Sequence, residues 1–172
     1  MGGGQVACRK IQNLLTCDAL ITVVAPKIDE EIRNLQENGY INVIRKKYEK
    51  NDLGGYILIV AASDDRDTNQ RVACEALERE LFVNVVDDRE LSSFIIPSVL
   101  RRGDLTIAVS TSGKSPFLSK AIRERLEEIF TWDYLKLLEN LETIRERIKN
   151  QNIPMEEKGI LYKQIIKKSK LF

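Results

Sequence analysis

The chain has 172 residues, of which 43% are hydrophobic and 31% are charged, and its net charge is +1. This balance lacks the basic excess of a dedicated nucleic-acid binder, and no run of about 18 apolar residues is present that would span a membrane. We therefore expect a soluble globular protein of the cytoplasm with no nucleic-acid or membrane partner, because no signal segment is found at its start.

The chain begins with a glycine-rich loop of the form GxGxxA, in which Gly2, Gly4 and Ala7 take the three small positions. In a dinucleotide-binding βαβ unit the first glycine makes a tight turn, the second lets the backbone approach the pyrophosphate, and the third small residue lets the helix pack on the strand. The next residues, 6–15, are predicted to be helical. A flexible end or the remnant of a tag is the alternative explanation of a terminal glycine triplet.

No strand precedes this loop, and Met1 stands where the last residue of that strand is expected. We therefore predict a sheet that lacks its first strand, a loosely held phosphate loop and weakened cofactor binding. We also expect the coding sequence upstream to supply a short strand rich in valine and isoleucine.

Strands and helices then alternate along the chain. Four apolar segments predict strands of a parallel sheet, at residues 19–26, 41–44, 56–62 and 82–86, and those at 19–26 and 56–62 are expected to be buried on both faces. Two amphipathic segments predict helices at 28–37 and 67–80, the second with Val72, Ala76 and Leu77 on one face. The alternation predicts an α/β fold, a doubly wound parallel Rossmann-like sheet, N-terminally truncated, over residues 1–91.

The pattern changes after Arg89. Two strands, 93–100 and 105–110, are predicted to flank a turn at 101–104 and to precede a helix at 115–130. An isolated two-stranded element is marginally stable, so residues 92–130 are predicted to form a small α+β dimerisation module. Residues 131–172 are predicted to form a C-terminal helical segment interrupted at Pro154. Its apolar stripe consists of Leu135, Leu138, Leu141, Ile144 and Ile148.

Ligands of doubly wound sheets bind at the carboxyl ends of the strands, which directs attention to Asp87. A strand-end carboxylate that is partly desolvated can accept a proton, although Asp87 can equally cap the following segment or start a turn. Asp88 is expected to face solvent. Asp64 and Asp65 are candidates either for cofactor contact or for the N-cap of the helix that follows them.

The absence of histidine removes the commonest general base and the commonest metal ligand, so no His-based catalytic triad or zinc site is expected. The three cysteines, Cys8, Cys17 and Cys74, lack CxxC spacing, which favours free thiols in a reducing compartment. Acid–base chemistry then falls to carboxylates, Lys, Tyr or Cys, and no metal site is predicted.

Several longer motifs occur in order along the chain: GGGxVAxRK at 2–10, TVVAP at 22–26, AASDD at 61–65 with Asn69, NVVD at 84–87, FIIP at 94–97 and RRGDLTIAVSTSGKSP at 101–116. With these motifs the chain closely resembles the precorrin-2 dehydrogenase/sirohydrochlorin ferrochelatase family, the N-terminal module of siroheme synthase. The resemblance covers essentially the whole chain and is most specific from Asn84 to Pro116. It implies a stand-alone form, because no methyltransferase domain follows.

The resemblance implies NAD-dependent oxidation of precorrin-2 to sirohydrochlorin by a homodimer, with Asp87 as the catalytic residue. Many members also insert ferrous iron to give siroheme, and no residue here separates the two cases. The implied cofactor contacts are Gly2, Gly3, Gly4, Gln5, Val6, Ala7, Ala25, Pro26, Ser63, Asp64 and Asn69. The implied contacts to the tetrapyrrole, whose eight carboxylates call for basic and hydroxyl groups, are Arg101, Ser110, Thr111, Ser112, Gly113 and Lys114.

Two alternatives stay open at this point. Ala25-Pro26 occupies the position where an NAD site usually carries an acidic residue, so Asp29 or Glu30 would have to replace it, whereas Lys27 would tolerate the 2′-phosphate of NADP. A nucleotide-binding regulatory module, or an inactive truncated relative, is the alternative to an enzyme.

Overall fold

A computed structural model describes residues 1–149, 151 and 153–171, so that Asn150, Asn152 and Phe172 of the predicted C-terminal segment lie outside the described residues. The chain forms two compact units, Met1–Ile96 and Pro97–Phe172. The elements of the first unit are α1 (Gln5–Leu15), β1 (Thr22–Val24), α2 (Glu30–Glu37), β2 (Asn42–Ile44), β3 (Leu58–Ala61), α3 (Arg66–Glu78) and β4 (Phe82–Val85). Those of the second are β5 (Ser98–Arg102), β6 (Leu105–Val109), α4 (Pro116–Ile129), α5 (Asp133–Lys149) and α6 (Met155–Lys168).

The predicted α/β alternation with parallel strands is confirmed in the first unit, but its sheet is divided. β1 pairs with β2 and β3 pairs with β4, both in parallel, and each pair forms a two-stranded sheet. In the usual Rossmann order the first strand lies between these two pairs. The division therefore falls where the sequence predicts a missing strand.

Each pair of strands has its own core. On one side α1 and α2 bury Ile11 and Ile32 against Val23 of β1. On the other side α3 buries Val72, Ala73 and Ala76 against β3 and β4. Leu77, predicted to share that face, is instead 47% exposed. The face of α3 that contacts the sheet is formed by Val72, Ala73 and Ala76, and Leu77 lies outside it.

The strands beside the division are shorter and more exposed than predicted. Leu20 is fully exposed, at 101%, and Ile57 is 76% exposed. Both residues fall in segments predicted to be buried on both faces. Burial on both faces requires neighbours on both edges, and β1 and β3 each pair with only one of the described strands.

The second unit begins with an antiparallel hairpin, β5–β6, that turns at Gly103 with φ +58°. Residues 93–97, predicted as the start of a strand, precede β5, and the Ser93 hydroxyl instead accepts a hydrogen bond from the Val83 N–H at the edge of β4. Ser115 caps α4 by accepting the Leu118 N–H at 3.2 Å. Among the described residues, no helix is long and apolar enough to cross a membrane.

Candidate functional site

The glycine loop packs between the segment that follows β1 and the segment that follows β3. A Cβ at Gly2, which has φ +108°, would lie 2.2 Å from the Ala62 carbonyl oxygen, and one at Gly3 would lie 2.1 Å from the Lys27 carbonyl oxygen. A Cβ at Gly4 meets nothing within 4 Å. The first two glycines are therefore required by packing, whereas Gly4 faces open space.

Backbone hydrogen bonds hold this loop from both sides. The Gly2 N–H donates to the Val24 carbonyl at 3.1 Å, and the Asp29 N–H donates to the Gly3 carbonyl at 2.7 Å. From the other side, the Ala62 N–H donates to the Met1 carbonyl at 2.8 Å. The expectation of a loosely held loop is therefore wrong. Residues 1–3 bond both to the segment at the end of β1 and to the segment at the end of β3, which belong to the two separate two-stranded sheets. Weakened cofactor binding stays a prediction.

The loop leads directly into α1, whose N-cap is Gly4. Gly4 has no side chain to cap the helix, and the first turn of α1 contains no acidic residue. The first N–H groups of the helix therefore meet neither a capping side chain nor a carboxylate from their own turn. Such a helix N-terminus suits a phosphate group.

A cavity of about 870 Å³ lies against the loop, in the size range of small-molecule and cofactor sites. It is lined at the carboxyl end of β1 by Ala25-Pro26, at that of β3 by Ser63-Asp64, and beyond β4 by Asp87. Most of the predicted cofactor residues thus meet at one cavity: Gly2, Gly3, Gly4, Gln5, Val6, Ala25, Pro26, Ser63 and Asp64. The other two, Ala7 and Asn69, are buried and do not line it.

Asn69 holds the loop after β3 in place. Its side-chain oxygen accepts the Ser63 N–H at 3.0 Å, and its side-chain nitrogen donates to the Ser63 carbonyl at 2.9 Å. Asp65 is the N-cap of α3 and accepts the Asp67 N–H and the Thr68 hydroxyl. The bond from Thr68 is the main reason that the pKa of Asp65 is lowered. The capping alternative therefore holds for Asp65, while Asp64 is exposed and lines the cavity.

Asp87 lies beyond the end of β4 in a left-handed backbone conformation, with φ +60°. Its side chain is exposed, so the expected partial desolvation is wrong for this chain as it stands. Asp88, expected to face solvent, is half-buried and accepts the Leu91 N–H at 3.2 Å. The capping alternative thus belongs to Asp88, whereas Asp87 lies within the turn that the bond from the Asp88 N–H to the Val85 carbonyl closes at 3.3 Å. Burial lowers the pKa of Lys10 on α1 below its usual value. The negative charge of Asp87 has a smaller effect in the opposite direction.

Sequence reasoning missed Lys47 and Tyr48, which line the cavity from the long connection between β2 and β3. The buried Glu75 of α3 ties this connection down, because its carboxylate accepts the Tyr48 hydroxyl and, at 2.9 Å, the Asn51 N–H. Arg79 forms an ion pair with Glu75 at 3.0 Å. Burial, more than the bond to Glu75, raises the pKa of the Tyr48 hydroxyl. The connection between β2 and β3 has no hydrophobic periodicity, so its sequence provided no signal for Lys47 or Tyr48.

The residues predicted to bind the substrate lie in the second unit. Residues 110–114 form a compact loop before α4, in which Ser112 and Gly113 have φ +53° and +75°. The Thr111 hydroxyl donates to the Ser115 carbonyl at 3.0 Å and accepts the Ser115 N–H at 3.1 Å. Arg101 lies on β5 and is exposed. The loop therefore presents hydroxyl groups and Lys114 beside a helix N-terminus.

Comparisons with known proteins match segments of both units of the chain. A family model described as putative NAD(P)-binding matches residues 1–98, and one described as sirohaem biosynthesis protein central matches residues 102–129. Siroheme synthase 3 of Aeromonas hydrophila is 37% identical over 166 residues, which cover 96% of this chain and 36% of that protein. Siroheme synthase of Chromobacterium violaceum is 39% identical over 149 residues, which cover 87% of this chain and 32% of that protein.

Among solved structures, SirC, a precorrin-2 dehydrogenase, superposes with a TM-score of 0.81 at 33% identity. The match covers 96% of this chain and 81% of that one. By contrast, the chain spans about a third of the length of the curated siroheme synthases that it matches.

Proposed function

Since this chain belongs to the precorrin-2 dehydrogenase and siroheme synthase family, we propose that it oxidises precorrin-2 to sirohydrochlorin with NAD in siroheme biosynthesis. The observation that carries this proposal is one cavity with a phosphate loop on one side and Asp87 on another. A regulatory nucleotide sensor has no need of a carboxylate at that position.

The residues present fit a dinucleotide. Gly4 leaves room where a Cβ would otherwise stand, and the N–H groups at the start of α1 bind the pyrophosphate. The segment from Ala25 to Asp29 holds the adenosine end, and Ser63 and Asp64 hold the nicotinamide end. NAD, when bound, supplies the acceptor for the hydride removed from precorrin-2.

The adenosine end favours NAD through Asp29. This residue is half-buried, lines the cavity and stands close behind Pro26, so its carboxylate accepts the ribose hydroxyls in place of the usual strand-end acid. Lys27 and Lys47 also line the cavity and are exposed, which makes the 2′-phosphate of NADP the competing ligand. A titration with both nucleotides distinguishes them.

Asp87 is the proposed proton acceptor. Loss of a hydride from precorrin-2 must be accompanied by loss of a proton, and an ionised carboxylate within reach of the substrate takes that proton. Its exposed position leaves it accessible to a large substrate. The carboxylates of the tetrapyrrole are met by Arg101, Lys114 and the hydroxyls of Ser110, Thr111 and Ser112, with Gly113 allowing close approach.

The proposed active form is a homodimer made through the second unit. On α4 the side chains of Phe117, Leu118 and Ile122 are 87%, 53% and 39% exposed. These neighbouring apolar side chains on one helix are what a subunit interface would cover.

Ferrous iron insertion into sirohydrochlorin is the second proposed activity, with iron as a substrate. Metal insertion releases two pyrrole protons, and Asp87 accepts them one at a time, passing the first to water before it takes the second. Among the described residues there is no group of three or more Cys, Asp or Glu side chains arranged to hold a metal ion. The reaction would therefore rely on the ring nitrogens of the tetrapyrrole as the principal metal ligands.

The test is anaerobic turnover of precorrin-2 with NAD, followed by addition of ferrous ion. For Asp87→Asn we expect kcat to fall by about 10²–10⁴-fold while the NAD dissociation constant stays within about twofold. Asp88→Asn is the matched control, because Asn keeps the oxygen that accepts the Leu91 N–H, and it should retain activity. Equal activity in both variants would remove Asp87 from the mechanism, and NAD binding without any turnover by the parent chain would favour the regulatory or inactive alternative.

A further inference from the structure

The turn that carries Asp87 is closed by the side chain of Ser92. The Ser92 hydroxyl accepts the Val85 N–H at 2.9 Å and donates to the Asp88 carbonyl at 2.7 Å. Val85 is the last residue of β4, and Asp88 comes directly after Asp87. One half-buried hydroxyl group therefore joins the end of the strand to the far side of Asp87.

The backbone bonds of this turn are longer than those of the hydroxyl. The Asp88 N–H donates to the Val85 carbonyl at 3.3 Å, just beyond the usual range of such bonds. The Ser92 N–H donates to the Arg89 carbonyl at 3.2 Å, which keeps Ser92 beside the turn. Both distances exceed the two made by the Ser92 hydroxyl, so the side chain supplies the closer connection across the turn.

The backbone of Asp87 has a conformation that needs such support. Its φ of +60° lies in the left-handed region, which residues other than glycine adopt at an energetic cost. A residue stays in that region when the structure around it fixes the backbone. The Asp87 side chain is exposed, so close packing does not set its direction. The position of the carboxylate therefore depends on the turn, and the turn depends on Ser92.

We propose that Ser92 is a positioning residue for the Asp87 carboxylate, an inference that rests on the proposed role of Asp87 as proton acceptor. By holding Val85 and Asp88, the hydroxyl keeps Asp87 in the left-handed conformation and its carboxylate at the cavity beside the phosphate loop. Ser92 does not line that cavity, so it acts through Asp87. Proton transfer depends steeply on where the acceptor lies, whereas the phosphate loop binds the nucleotide with other residues.

The neighbouring Ser93 provides a matched control on the same strand. Its hydroxyl accepts the Val83 N–H at 2.8 Å, just as that of Ser92 accepts the Val85 N–H. The Ser93 N–H also donates to the Val83 carbonyl at 2.8 Å. These bonds meet β4 two residues before its end. Replacing Ser93 therefore removes the same kind of bond to β4 but leaves the turn around Asp87 closed.

The first test measures the backbone of Asp87 without cofactor or substrate. A positive φ brings the amide proton and the α proton of a residue together, so Asp87 should show a strong nuclear Overhauser effect between them. We expect this effect to weaken by about twofold or more in Ser92→Ala. It should stay strong in Ser93→Ala and in Ser92→Thr, which keeps the hydroxyl. Ser92→Cys, whose thiol bonds more weakly, should show the same loss if Ser92→Ala does not fold.

The second test measures precorrin-2 turnover and NAD binding in the same variants. For Ser92→Ala we expect kcat to fall by about 10–100-fold, while KM for precorrin-2 and the NAD dissociation constant stay within about twofold. Ser93→Ala and Ser92→Thr should keep the parent kcat. In an Asp87→Asn background, Ser92→Ala should change kcat by less than about twofold, because the residue through which it acts is gone.

An undiminished Overhauser effect at Asp87 in Ser92→Ala would overturn the proposal, as would equal kcat in Ser92→Ala and Ser93→Ala. A further large fall in kcat when Ser92→Ala is added to Asp87→Asn would also overturn it, since Ser92 would then act by another route. Failure of the proposed function gives a different result, in which the parent chain has no turnover or Asp87→Asn alone leaves kcat unchanged. The Overhauser effect then still decides whether Ser92 holds the turn.

Discussion

Neighbouring glycines in the phosphate loop have different physical tasks. Gly3 packs against the backbone around Lys27, whereas Gly4 borders open space and is the N-cap of α1. A methyl group at Gly3 collides with protein backbone, which cannot move aside as a flexible side chain can. A methyl group at Gly4 would collide only with a bound ligand.

For Gly3→Ala we therefore expect the free energy of unfolding to fall by about 1–3 kcal/mol. For Gly4→Ala we expect it to change by less than about 1 kcal/mol, while the NAD dissociation constant rises by about tenfold or more. Urea unfolding and NAD titration measure the two effects. Equal losses of stability in the two variants would contradict this division of tasks.

At the residue scale the sequence was a good guide to which residues meet and a poor guide to their exposure. The glycine spacing and the strand ends identified Gly2, Gly4 and Asp87, all of which line one cavity. Spacing could not tell which of two adjacent carboxylates turns inward, and Asp88 proved to be the half-buried one. That choice depends on the left-handed backbone at Asp87, which no periodicity encodes.

At the scale of elements, the connection between β2 and β3 depends on one buried carboxylate. Glu75 is 5% exposed and joins α3 to Tyr48, Asn51 and Arg79. Its removal leaves the buried Tyr48 hydroxyl and the part-buried Asn51 N–H without their acceptor. The same connection carries Lys47 to the cavity, so a structural loss there reaches the candidate cofactor site.

We expect Glu75→Ala to lower the free energy of unfolding by about 3 kcal/mol and to weaken NAD binding. Glu78→Ala is the matched control on the same helix, because Glu78 is exposed, and it should change stability by less than about 0.5 kcal/mol. Denaturant unfolding of both variants measures the difference. Similar values for the two would show that the carboxylate of Glu75 does not hold the connection.

The order and type of the elements followed from hydrophobic periodicity, whereas their lengths did not. The run predicted as a strand over 19–26 yields only Thr22–Val24, and the run over 56–62 yields Leu58–Ala61. Both runs are apolar enough for full strands. Strand length is set by pairing with neighbours. The sequence predicts that the first strand is missing, but the apolar pattern of each run does not show at which residue pairing stops.

At the scale of the whole molecule, the buried amino group of Met1 couples stability to pH. Burial lowers its pKa from 8.0 to about 6. Between these values the unfolded chain binds more protons than the folded one, so the free energy of unfolding rises as the pH increases from 6 to 8. The chain contains no histidine that would titrate in the same range.

We expect this rise to be on the order of 3 kcal/mol, and chemical denaturation at closely spaced pH values measures it. A chain acetylated at Met1 is the control. Its amide N–H can still donate to the Val60 carbonyl, as the free amino group does, but it does not titrate. If both chains showed the same pH dependence, the amino group would not be its source.

The divided sheet gives a bound cofactor a second effect on the protein. The β1–β2 pair and the β3–β4 pair bury separate cores, and backbone bonds at Met1, Gly2 and Ala62 join these two halves of the sheet. The cavity spans that seam, with Ala25 on one half and Ser63 on the other. A dinucleotide that contacts both halves therefore adds cooperativity as well as binding energy, because neither half can then open without releasing it.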